Sequence, residues 1–133
     1  MNVRRTAAAL SATAAALTGL VLISPAANAS GGTPDVRSSG TCTIGATWRL
    51  KAKPDDGRLS IEFEVDSNRV GQTWSVRLTD NRNPIYTGTR KTVAPSGSFT
   101  VAMLRRNLTG ADTIRARAVN TVNGSVCGGR VVL

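Results

Sequence analysis

The chain has 133 residues, with 17 Lys and Arg against 8 Asp and Glu, two cysteines and no histidine. Those numbers leave room for one small domain and exclude a His-based triad, a His general base and an ordinary zinc site. The surplus of positive charge points to anionic partners, the plainer alternative being that it serves only solubility.

Residues 1–29 read as an export signal. Arg4 and Arg5 form a cationic start, Ala7 to Ile23 is an uncharged run rich in Ala and Leu, and Ala27-Asn28-Ala29 supplies the small-x-small pattern for cleavage after Ala29. No second apolar span follows, so the expected mature protein is secreted, extracellular and without a transmembrane anchor. The 104 residues after Ala29 carry 15 Lys and Arg, 12 of them Arg, against the same 8 acids. A domain of that size is marginal alone. In an oxidising compartment Cys42 and Cys127 are therefore expected to form a stabilising disulfide.

Ser30 to Gly40 is nearly devoid of apolar residues and reads as a flexible linker ahead of a domain spanning residues 41–133. Trp48 to Lys53 and Leu59 to Val65 each alternate apolar with polar residues, the two-residue period of a strand with one buried face. Pro54-Asp55-Asp56-Gly57 separates them as a turn. A four-residue turn closed by Lys53 opposite Arg58 would set Ala52 against Leu59, Leu50 against Ile61 and Trp48 against Phe63, with Arg49 facing Glu62. The glutamates then have a structural explanation as partners of neighbouring cations.

After the loop Asp66–Gly71, a third strand is expected over Thr73 to Thr79, with Trp74, Val76 and Leu78 inward. Asp80 to Pro84 forms a turn cluster, and Ile85 to Lys91 a weaker strand suited to a sheet edge. A turn at Ala94 to Gly97 leads to a fifth strand marked by Phe99, Val101 and Met103, and Arg105 to Gly110 reads as a connection. Ile114, Ala116 and Ala118 mark the sixth strand; Asn123-Gly124 turns the chain into the seventh, Val126 to Leu133. Seven short strands without helical periodicity define an all-β, antiparallel β-sandwich. Small inward residues at 116 and 118 leave space for an indole, Trp48 or Trp74.

Arg115-Ala116-Arg117-Ala118-Val119-Asn120 resembles the corresponding strand of fibronectin type III domains, although Asp112 stands near the point where those domains place a corner tyrosine. Segments such as Trp48 to Gly57, Glu62 to Asn68, Gly71 to Trp74 and Pro95 to Phe99 are similar to small secreted actinobacterial proteins without an assigned activity. The resemblance implies secretion and an immunoglobulin-like fold, and it carries over no catalytic residues.

With no His, both Cys paired and only three Lys, no catalytic constellation, metal site or cofactor is indicated, and the chain is expected not to be an enzyme. Neighbouring third and sixth strands in such a fold place Arg77, Arg115 and Arg117 on one outer face, with Arg90, Lys91, Arg105 and Arg106 on nearby edges and connections. Guanidinium groups suit phosphate and carboxylate. The expected function is thus a monomeric binding module for an anionic cell-wall polymer or an acidic protein. Sequence-specific nucleic acid is disfavoured because exposed aromatics do not interleave the cations. Two alternatives belong to other classes: a small-molecule carrier apoprotein, and a protease inhibitor acting through a loop such as Asp66–Gly71.

Overall fold

The computed structural model describes residues 34–133, and all of their regular structure is strand. The expected signal peptide, 1–29, and residues 30–33 of the expected linker lie outside that range. In chain order the strands are β1 (Val36–Thr41), β2 (Thr47–Asp55), β3 (Arg58–Asp66), β4 (Thr73–Asp80), β5 (Asn83–Lys91), β6 (Ser98–Arg106), β7 (Thr113–Asn120) and β8 (Val126–Val132). They build two antiparallel four-stranded sheets, ordered β1-β2-β3-β6 and β5-β4-β7-β8. The alternating apolar residues of both sheets share one core, in which Leu50, Ile61, Phe63, Trp74, Val76, Leu78 and Ile114 are almost fully buried. Among the described residues no helix is long and apolar enough to cross a membrane.

Eight strands stand where seven were expected, and the difference is β1. Residues 36–40 are an edge strand and not part of a linker, pairing with β2 from Val36 opposite Ala52 to Thr41 opposite Thr47. Its Ser-Ser-Gly run imitates a linker, and the glycine in it answers to a bulky neighbour. Gly40 lies opposite Trp48, and a Cβ there would come within 3.1 Å of the indole nitrogen.

The β2–β3 hairpin keeps the expected faces but slides by two residues. Asp55 lies opposite Arg58, so the turn is only Asp56-Gly57, both in the left-handed region at φ 46° and 75°, as two-residue hairpin turns require. Pro54 therefore sits inside β2, opposite Leu59. It is tolerated because β1 stops pairing at Ala52, leaving no neighbour that needs a donor from Pro54. A slip of two preserves which side chains point inward. Partners change accordingly: Leu50 faces Phe63, Trp48 faces Val65, and Arg49 faces Glu64 in an ion pair of 2.7 Å.

Across the core, Trp48 reaches the second sheet at Gly129, where an added Cβ would overlap the ring. Gly129 lies opposite Ala116, so small residues on β7 and β8 make the space that one indole fills. The other indole, Trp74, packs against Phe99 with ring centroids 6.3 Å apart. Cys42, just past β1, and Cys127 in β8 form a disulfide that ties the two sheets together over a separation of 85 residues. Such a bond is at home in an oxidising, non-cytoplasmic environment.

Candidate functional site

The outer face of the sheet β5-β4-β7-β8 follows from its register. Trp74, Val76 and Leu78 of β4 and Ile114, Ala116 and Ala118 of β7 point into the core, so Arg77, Arg115 and Arg117 point out. Arg77 lies directly opposite Arg117, Thr79 opposite Arg115, and Arg115 opposite Arg130 of β8. Four exposed arginines thus form two laterally paired rows, two residues apart along β7. Among the described residues none of the four has a carboxylate partner; the two ion pairs present, Arg37–Asp35 and Arg49–Glu64, involve only residues of β1, β2, β3 and the segment before them. Like charges directly opposite across a ladder are destabilising.

These arginines border a shallow groove of about 630 Å³ that also takes in Thr41, Thr43, Thr79 and a floor at Gly128-Gly129. Gly128, at φ 149°, approaches the Ala116 carbonyl so closely that a Cβ there would overlap it. On the β8 side of Arg117 there is consequently no side chain, and the groove opens at that notch. Val126 directs both backbone groups away from β7, accepting from Thr43 N–H at 3.0 Å and donating to Thr43 Oγ1 at 2.8 Å. By the strand's two-residue alternation, Gly128 and Arg130 present their backbone N–H groups toward the same open edge. Guanidinium forks, threonine hydroxyls and edge amides are all groups able to donate to an oxyanion.

The two sheets differ in charge pattern. The outer face of β1-β2-β3-β6 mixes signs, with Arg49 beside Glu64 and Lys51 beside Glu62. The strands of the other sheet contain six Lys and Arg and a single acid, Asp80, whose side chain turns inward.

The remaining candidate cations are dispersed. Lys91 belongs to the same outer face but lies opposite Thr73, four residues along β4 from Arg77. Arg90 stands at an inward position of the edge strand, its guanidinium carbon 5.2 Å from the centre of the Tyr86 ring. Arg105 and Arg106 belong to β6 and not to a connection: Arg105 is opposite Leu59 on the inner side, and Arg106 opposite Arg58 on the outer face of the other sheet. Neither joins the arginine rows. Arg130 was missed by sequence reasoning, although the alternation of Cys127, Gly129 and Val131 inward is the signal that would have placed it outward.

Asp80 ends β4 and is buried, with Oδ1 lacking a hydrogen-bond partner. Burial pushes its carboxyl above the ordinary value of 3.8, the nearby Asp112 adds to that, and Arg105 opposes it. A raised folded-state value in an acid means the charged form costs stability, fully above the folded value and not at all below the unfolded one. Asp80→Asn is therefore expected to raise the melting temperature at pH 7, with the gain vanishing below about pH 3.8. A lower melting temperature at pH 7 would show that attraction to Arg105 dominates.

Among the described residues no group of three His, Cys, Asp or Glu side chains is arranged to hold a metal ion. Compared with known proteins, the chain matches no protein-family model, no curated protein and no solved structure.

Proposed function

We propose that this is a secreted, non-catalytic binding module of immunoglobulin-like, fibronectin type III-like fold whose arginine face engages an anionic extracellular polymer or an acidic protein. The strand order supports the fold: β2-β3-β6 packed on β5-β4-β7-β8 corresponds to the seven strands of a fibronectin type III domain, with β1 added outside β2. The export-signal pattern read in the sequence of residues 1–29 and the Cys42–Cys127 disulfide support secretion.

One observation carries the binding reading: two like-charged pairs, Arg77 with Arg117 and Arg115 with Arg130, lie directly opposite each other on a face whose cations have no carboxylate partner among the described residues. Solubility alone needs charge but not charge in opposed pairs. An anion bridging two guanidinium groups turns that repulsion into attraction.

The test is a pair of melting curves. At low salt, Arg77→Ser with Arg117→Ser is expected to be more stable than wild type by about 0.2–1 kcal/mol, the usual size of a cross-strand effect. Inorganic phosphate should raise the wild-type melting temperature more than chloride at equal ionic strength, and should do so less for the variant, which keeps only the Arg115–Arg130 pair. Equal responses of both proteins to phosphate would remove the arginine rows from the account.

A second reading, the small-molecule carrier, is favoured by the groove itself. Its volume of about 630 Å³ lies within the ordinary range for ligand sites. In that case the cargo is a compact anion, and native mass spectrometry of protein from its producer shows it retained.

A further inference from the structure

The loops β1–β2, β3–β4, β5–β6 and β7–β8 all lie at one end of the sandwich, because successive strands run antiparallel. Each presents an exposed aliphatic side chain: Ile44 (50% exposed), Val70 (60%), Val93 (57%) and Val122 (90%). The same four loops contain one charged residue, Arg69. Charge depletion with exposed apolar groups is the compositional mark of an interface core.

The loops are fastened to one another. Ser67 N–H donates to Gly97 O, Gly71 N–H to Thr92 O, and the Thr92 hydroxyl to Arg69 O. On the other side Ser125 Oγ accepts from Ile44 N–H and donates to Ile44 O. Between these two stitched pairs lies a cavity of about 100 Å³, lined by Ile44, Arg69, Gln72, Trp74 and Asn123 among others. Trp74 is 1% exposed, yet its indole N–H has no acceptor, and the Gln72 amide oxygen has no donor. Asn120, paired with Trp74 across the ladder, is 2% exposed and leaves Nδ2 unpartnered. Buried polar groups without partners are costly, and those of Trp74 and Gln72 line the same cavity as Arg69, the one cation of these loops.

We infer that this end docks a protein partner by taking one of its acidic side chains into the cavity, with Ile44 and Val122 on one side and Val70 and Val93 on the other. A carboxylate accepts from the Trp74 indole and the Arg69 guanidinium, and a half-turn of the Gln72 amide presents Nε2 to it as well. Four aliphatic side chains around a desolvated polar centre give the apolar rim of a hot spot. This surface is separate from the arginine groove and does not depend on it.

The probe is the blocked dipeptide N-acetyl-aspartyl-valinamide, titrated into isotopically labelled protein while the Trp74 indole N–H resonance and the loop amides are followed. The host combines Arg77→Ser, Arg115→Ser, Arg117→Ser and Arg130→Ser, so that acidic-peptide binding on the sheet face does not contribute. Saturable shifts of Trp74, Arg69 and Gln72 are expected, with affinity at least about tenfold weaker for the asparagine analogue and for Arg69→Gln. Val122→Asp, at an exposed loop position, should also weaken binding while leaving the fold intact. No saturable shift at Trp74, or equal affinity for the aspartyl and asparaginyl peptides, would overturn the inference. In wild type, shifts confined to Arg77 and Arg117 would overturn it too, while leaving the sheet-face proposal standing.

Discussion

Replacing Cys42 and Cys127 together by alanine is expected to destabilise the domain by about 3–5 kcal/mol, lowering its melting temperature by about 15–30 °C. The magnitude follows from the length of chain the bond closes, since the two cysteines are 85 residues apart and the loop entropy removed from the unfolded chain grows with that length. A domain of this size has only about 5–15 kcal/mol in total. Location adds to the effect. Cys127 is buried in β8, next to Gly128 of the groove floor, and Cys42 follows β1, the strand that covers Trp48. Losing the bond should therefore free β1 and β8 first, so hydrogen exchange should rise earliest at Ser38–Thr41 and Gly128–Arg130. Denaturant melts of reduced and oxidised protein check the size, and a difference below about 1 kcal/mol would mean the sheets hold together without the bond.

The second large effect concerns the contact between the sheets. Trp48→Ala is expected to cost about 3–5 kcal/mol, the usual range for removing a buried large aromatic. Gly129→Ala is expected to cost about 1–3 kcal/mol by overpacking, because its new Cβ would overlap the Trp48 ring. The two are coupled. In a Trp48→Leu background the shorter side chain clears the new methyl group, so Gly129→Ala should become nearly neutral, giving a double-mutant interaction of more than about 1 kcal/mol. Additive effects would place the indole elsewhere than over Gly129. The same cycle bears on the groove, since Gly129 forms part of its floor.

Much of this architecture was legible in the residues. The alternation of Leu59 to Val65 and of Trp74 to Leu78 placed every inward side chain correctly, because a strand's two faces are set by parity alone. Register was harder. Pro54 resembles a turn residue wherever it stands, and only the short reach of β1 explains why a strand accepts it. β1 itself was hidden because Ser38, Ser39 and Gly40 give it the composition of a linker, the glycine being required by the indole beside it. Arg77, Arg115 and Arg117 were grouped correctly from strand adjacency. Arg130 escaped because two glycines interrupt the pattern of β8, and Arg105 and Arg106 were misplaced because β6 runs past the last apolar residue that marks it. The loop-end cavity has no sequence signal: residues from three loops and β4 line it, and loops far apart in sequence are brought together there by long-range hydrogen bonds.

Binding to long-chain inorganic polyphosphate, followed across a salt series, tests the arginine face most directly. Four guanidinium contacts should make the logarithm of the affinity fall against the logarithm of salt with a slope of about −3. Arg77→Glu with Arg117→Glu should weaken binding by about a hundredfold or more, while the same reversal at Arg49 and Lys51 on the opposite sheet has little effect. Affinity indifferent to salt, or equal losses from the two reversals, would contradict the account.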